Sequence, residues 1–185
     1  MYLYNDSYFT GLRTAEELKD ITTKVDTLDI GYDQLNADGR VDPEYITKTE
    51  IASFHVSAYL IKGLWYFDKR QGELKYRLLG IAPAAPDVNF LDSDDEENKE
   101  PNPLFWVFFP DARDVLHQAK SFNAKNSAVP FSFDHILNAR RFNSVIYKEE
   151  NVYGDREVNE YIAENALMQL LESDRIKDKI RNFEL

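Results

Sequence analysis

Pro110 closes the apolar run Leu104–Phe109 and is followed by Asp111, Asp114 and His117. Two carboxylates and an imidazole can take up and release protons, and the end of a strand is a common place for such groups in α/β enzymes. The same residues also have a structural use. Proline fits the first helical turn, where its missing N–H would have no partner, and aspartates there complement the positive end of the helix dipole. Ala112, Val115, Leu116, Ala119 and Phe122 then form one apolar helix face. Capping accounts for both acids and the proline, leaving His117 as the one chemical group unexplained. A small enzyme built on Asp111 and His117 is the alternative reading rather than the first.

Other chemical signatures are weak. His55 and His135 are isolated, and no H-E-x-x-H, G-x-S-x-G, Walker A or G-x-G-x-x-G pattern occurs. With no cysteine, thiolate zinc sites, disulfides and cysteine nucleophiles are all excluded. In "QLNADGRVDPEY", Gly39 at the sixth position of a calcium loop places Asn36 and Asp38 correctly. Gln34 and Tyr45 then occupy the first and last positions, where carboxylates are needed. The acidic tract "DSDDEEN" offers Asp92, Asp94 and Glu96 to calcium but lacks the glycine turn, so a solvated loop is the first reading and a calcium-binding interaction module the second. The sequence assigns no catalytic, cofactor or metal residue.

Charge is more informative. A net charge of -11 opposes nucleic-acid backbones and anionic lipid surfaces. No apolar run approaches the roughly 18 residues of a membrane span, so no direct insertion is expected. Against this background, Ala112–Lys148 holds Arg113, Lys120, Lys125, Arg140, Arg141 and Lys148 with only Asp114 and Asp134. Arg113, Arg140, Arg141 and Lys148 are the candidate partner-binding residues, with intrachain pairing as the competing explanation.

The positioning elements follow from periodicity. Thr14 and Glu17 have capping-box spacing ahead of Leu18, Ile21 and Val25, which predicts a short helix. Residues 29–44 read as a polar loop and residues 92–103 as an acidic one. Alternation from Ser53 to Leu60 predicts a half-buried strand, and "LWYFDKRQGELKYRLLGI" a hairpin turning at "DKRQGE". "LFWVFF" is apolar on both faces, as suits a central strand. Val158, Ile162, Ala166, Leu170, Ile176, Ile180 and Phe183 predict one long C-terminal helix or two, broken near Ser173. The expected fold is α+β: a single domain over 1–185, with a small mainly antiparallel sheet around an aromatic strand, several helices and a long C-terminal helical segment.

"YLIKGLWYFDKRQGELKYRLLGIAP", "LFWVFFPDARDVLHQAKSFNAKN", "RRFNSVIYKEENVYGDREVNEYI" and "LLESDRIKDKIRNFE" together resemble the GldN/PorN family, gliding-motility and type IX secretion proteins of Bacteroidetes. The similarity runs in order from about Tyr59 to Glu184. It implies a non-enzymatic structural subunit, periplasmic and associated with the outer membrane, whose signal peptide has been removed. It also implies ring assembly with a GldK/PorK-like outer-membrane lipoprotein, self-association, and contact with a GldM/PorM-like inner-membrane motor protein. No family catalytic residue exists to carry over. The family's N-terminal segment is not seen, and Gly63-Leu64 stands where more polar residues are expected.

Overall fold

A computed structural model describes residues 1–91, 100–122, 129–152, 154–163 and 165–183. The fold is α+β, and the chain divides into two compact units: Met1–Lys62 with Leu78–Val115, and Gly63–Arg77 with Leu116–Leu185.

The first unit is organised by β7 (Trp106–Phe108). Val107 lies opposite Leu3 of β1 (Leu3–Tyr4) on one side and Ile81 of β5 (Glu73–Ala85) on the other, both antiparallel. The sheet order is β1-β7-β5-β4, where β4 is Ala58–Asp68, and β6 (Asn102–Pro103) also pairs with β5. Consecutive residues of a strand point to opposite faces, and here both Trp106 and Val107 are buried. The aromatic strand is central and covered on both sides, as its sequence predicts. Leu78, Ala82, Ala84, Ala85, Val88, Leu104, Phe109 and Ala112 are buried with them in this core. Phe9, in the left-handed conformation at φ 60°, turns its ring against Gly80 and between Tyr4 and Phe108, with centroids 5.3 Å from each. A Cβ at Gly80 would collide with that ring.

The capping box forms as expected at α1 (Ala15–Thr22): the Thr14 hydroxyl accepts the Glu17 N–H, and the Glu17 carboxylate accepts the Thr14 N–H. β2 (Thr23–Thr27) follows directly and pairs with β3 (Ile46–Glu50). Between them the expected loop 29–44 is largely a helix, α2 (Asp29–Asp38). Its apolar residues Ile30, Tyr32 and Leu35 are exposed, so it lacks the stripe by which helices are recognised. Gly31 faces inward instead, too close to Thr27, Val41 and Tyr45 for any larger residue. Gly39, considered above as a calcium-loop glycine, is the left-handed C-cap at φ 68°, its N–H donating to the Leu35 carbonyl.

Two further expectations are corrected. Ser53–His55 is a 3-10 turn, in which the His55 Nδ1 accepts the Ala52 N–H, and the strand begins only at Ala58; Phe54 is 80% exposed. Within the expected loop 92–103, Asn102–Pro103 is a strand, because the Ala84 and Ala85 backbone offers it a partner; residues 92–99, with Asp92, Asp94 and Glu96, lie outside the described residues. The hairpin forms as predicted, with Gly72 at φ 68° in its turn and the Asp68 carboxylate accepting from both the Arg70 N–H and the Lys75 ammonium.

In the second unit, β8 (Lys120–Ser121) pairs with β9 (Phe131–Ser132), which leads into α4 (Phe133–Asn138). The Ser132 hydroxyl caps α4 by accepting the His135 N–H. The C-terminal segment is two helices, α5 (Val158–Tyr161) and α6 (Ala166–Asn182). The break falls before Asn165, which caps α6 by accepting the Met168 N–H, and not at Ser173. Ser173 is buried inside α6, where its hydroxyl accepts the Ile146 N–H at 2.8 Å. Ile176, one turn on, is 1% exposed and is the centre of this unit's core with Leu137 and Val158.

Candidate interaction surface

The helix α3 (Phe109–Gln118) carries the residues of the enzyme reading. Asp111 stands in its first turn and is exposed. His117 is exposed near its end, and its backbone carbonyl accepts from the Lys120 ammonium. Six helical positions separate them, about 9 Å along the axis and about 240° around it, so the two side chains do not converge. The expected apolar face is narrower than predicted: Ala112 is buried, but Val115 is 60% and Phe122 84% exposed. Among the described residues, no group of three His, Asp or Glu could hold a metal ion.

The basic candidates are drawn to different neighbours. Arg113 is exposed on α3 in the first unit. Arg140 follows α4 at φ 51°, the left-handed turn that ends the helix, with its N–H donating to the Leu137 carbonyl. That turn lays its guanidinium over the Trp65 ring at 4.9 Å and the Tyr76 ring at 5.6 Å. The two rings pack on each other with centroids 5.1 Å apart. Burial pushes the Tyr76 phenol above its ordinary pKa, and the charge of Arg140 opposes that rise. Arg141 turns elsewhere, over the Phe131 ring at 5.4 Å, while Phe131 stacks on His135. Lys148 lies 3.8 Å from the Glu157 carboxylate. The competing explanation thus holds a larger share than charge counting suggested, and its chemistry is chiefly cation–π rather than ionic.

Gly63 is explained by the same cluster. The Tyr76 ring lies directly over its backbone, in the space a Cβ would need. Where a more polar residue was expected, only glycine admits the ring.

Large apolar side chains are exposed as well. Leu64, Trp65, Tyr66 and Phe67 follow one another in β4, and the last three are all at least 37% exposed, Leu64 more so. Leu167, Leu170 and Leu171 form an exposed stripe on the first turns of α6 at helical spacing. The sequence predicts Leu64–Phe67 as one strand of a hairpin and Leu170 as part of a helical spacing, and four successive large apolar residues in one strand place such groups on both faces. Among the described residues, no helix is long and apolar enough to cross a membrane.

The arrangement is that of an α+β protein whose described chemical groups are spread over surfaces and whose identified candidates do not meet in one cleft. The family model of the gliding motility associated protein GldN matches residues 1–185, and the chain belongs to this family. The family is one of gliding motility associated proteins. No curated protein matches it in sequence.

Proposed function

We propose that this chain is a non-enzymatic structural subunit of the gliding and type IX secretion machinery. It works in the periplasm at the outer membrane, in a ring-like assembly with a GldK/PorK-like lipoprotein, with copies of itself, and in contact with a GldM/PorM-like motor protein. The observation that carries this reading is the GldN family match across residues 1–185. The exposed apolar runs of β4 and α6 support it, because contiguous apolar surface of this kind marks association sites. The test is a pull-down of the chain against the lipoprotein and motor components of the same genome, paired with deletion of its gene. Retention of either component, with loss of gliding and secretion on deletion, is the expected outcome. Capture of neither component with gliding intact would end this reading.

A further inference from the structure

The sheet has two edges, and they are unlike. On the outer side of β1 the chain folds back: Tyr4 bridges Leu12, and the Arg13 N–H donates to the Leu3 carbonyl at 2.8 Å. The edge at β4 has no strand beside it among the described residues. From Gly63 to Phe67 this edge carries neither a charge nor a proline, the usual devices against pairing with another chain. Leu64, Trp65, Tyr66 and Phe67 stand exposed on it.

The surroundings give the edge a sign. The hairpin tip Gly63–Arg77 has Lys69, Arg70, Lys75 and Arg77 against Asp68 and Glu73, and Arg140 lies over Trp65. The asymmetry extends to whole units. The first unit has 20 acidic residues against 8 basic, whereas the second has 13 against 14. Nearly all of the net charge therefore belongs to one unit, and the open aromatic edge belongs to the other. Two such edges meeting head to head would bring like charges together, while an edge meeting the acidic unit of another molecule is attracted to it.

We propose that the β4 edge from Gly63 to Phe67, with Arg77 and Arg140 beside it, docks against the acidic first unit of a second copy of this chain. Such a contact joins unlike surfaces, so each added copy presents a fresh edge and a fresh acidic unit, and assembly continues beyond a dimer. The aromatic side chains supply the buried area and the cations set the orientation. The proposal rests on the reading of the chain as an assembly subunit, and it assigns the surface that reading leaves open.

The experiment is sedimentation velocity of the purified chain over a range of concentrations at low and moderate salt, with Leu64→Lys and Arg77→Glu as separate variants. Neither side chain lies in the Trp65–Tyr76–Arg140 stack, and circular dichroism with a melting curve establishes that each variant is folded. The expected result is concentration-dependent species larger than a dimer, weakened by salt. Leu64→Lys should lower the association constant about tenfold or more, the effect of a central contact residue. Arg77→Glu should weaken association most at low salt. Association that stops at a dimer, or that survives both substitutions in folded protein, overturns the proposal. A chain that stays monomeric at every concentration also overturns it, leaving a different acidic protein as the occupant. Association through some other face would remove this proposal while leaving the assembly function intact, and the pull-down and deletion phenotype test that function separately.

Discussion

The backbone N–H of Ile146 donates to the side-chain oxygen of Ser173 at 2.8 Å, across 27 residues of chain. Ser173 is 1% exposed and sits one turn before Ile176, so this bond holds the irregular stretch after Arg141 against the one well-buried turn of α6. Serine in a helix interior is neutral at best for local propensity, and here its value is tertiary.

Ser173→Ala should therefore cost about 1 kcal/mol or somewhat more, the scale for leaving a half-buried N–H without its partner. Urea denaturation measures it. A loss no larger than that of an exposed serine on the same helix would mean that the Ile146 amide finds another acceptor.

At Gly63 the prediction is steric. Gly63→Ala inserts a Cβ where the Tyr76 ring lies, and should destabilise by about 1–3 kcal/mol as the ring is displaced. Combining it with Tyr76→Ala should cost clearly less than the sum of the two single changes, because the clash is then gone. Additive costs would show that the ring does not occupy that space.

Arg140→Ala removes the cation over Trp65 and should cost about 0.5–1 kcal/mol, the scale for an exposed cation–π contact. The emission of Trp65 should change with it, read in a Trp106→Phe background to isolate that ring. Arg140→Lys should restore only part of the effect, since the planar guanidinium stacks and an ammonium does not. An unchanged Trp65 spectrum in Arg140→Ala would refute the stack.

The acid limb of stability should depend on Asp6. Its carboxylate accepts from the Thr10 hydroxyl at 2.7 Å and the Tyr8 N–H at 2.6 Å, and the Thr10 hydroxyl foremost holds its pKa below the ordinary aspartate value. A carboxylate whose pKa is lower in the folded state favours folding above its unfolded value of about 4, and that contribution disappears as the pH falls through the folded value. Asp6→Asn should lower stability at neutral pH and flatten its decline in acid. Melting curves between neutral and acid pH check this, and an equally steep decline in the variant would assign the acid response to other carboxylates.

The local features of this chain were legible in its sequence because each is decided within a few residues. Thr14 and Glu17 satisfy one another's backbone amides, the hairpin turns where Gly72 can take a positive φ, and Trp106–Val107 needs cover on both faces wherever it lies. The family likeness also rests on strings of residues that can be read in order. What escaped was decided by partners distant in the chain. The helix α2 packs by Gly31 rather than by an apolar stripe, and Gly39, weighed above as a calcium-loop glycine, closes that helix. Ser173 resembled a helix breaker until the Ile146 amide supplied its partner. Arg140 read as a partner-binding candidate, with its intrachain contacts hidden, because neither Trp65 nor Tyr76 is near it in sequence. Spacing along a chain reports which groups a residue can satisfy locally; only the tertiary fold decides whether a buried amide, an aromatic ring or a neighbouring molecule takes what is left.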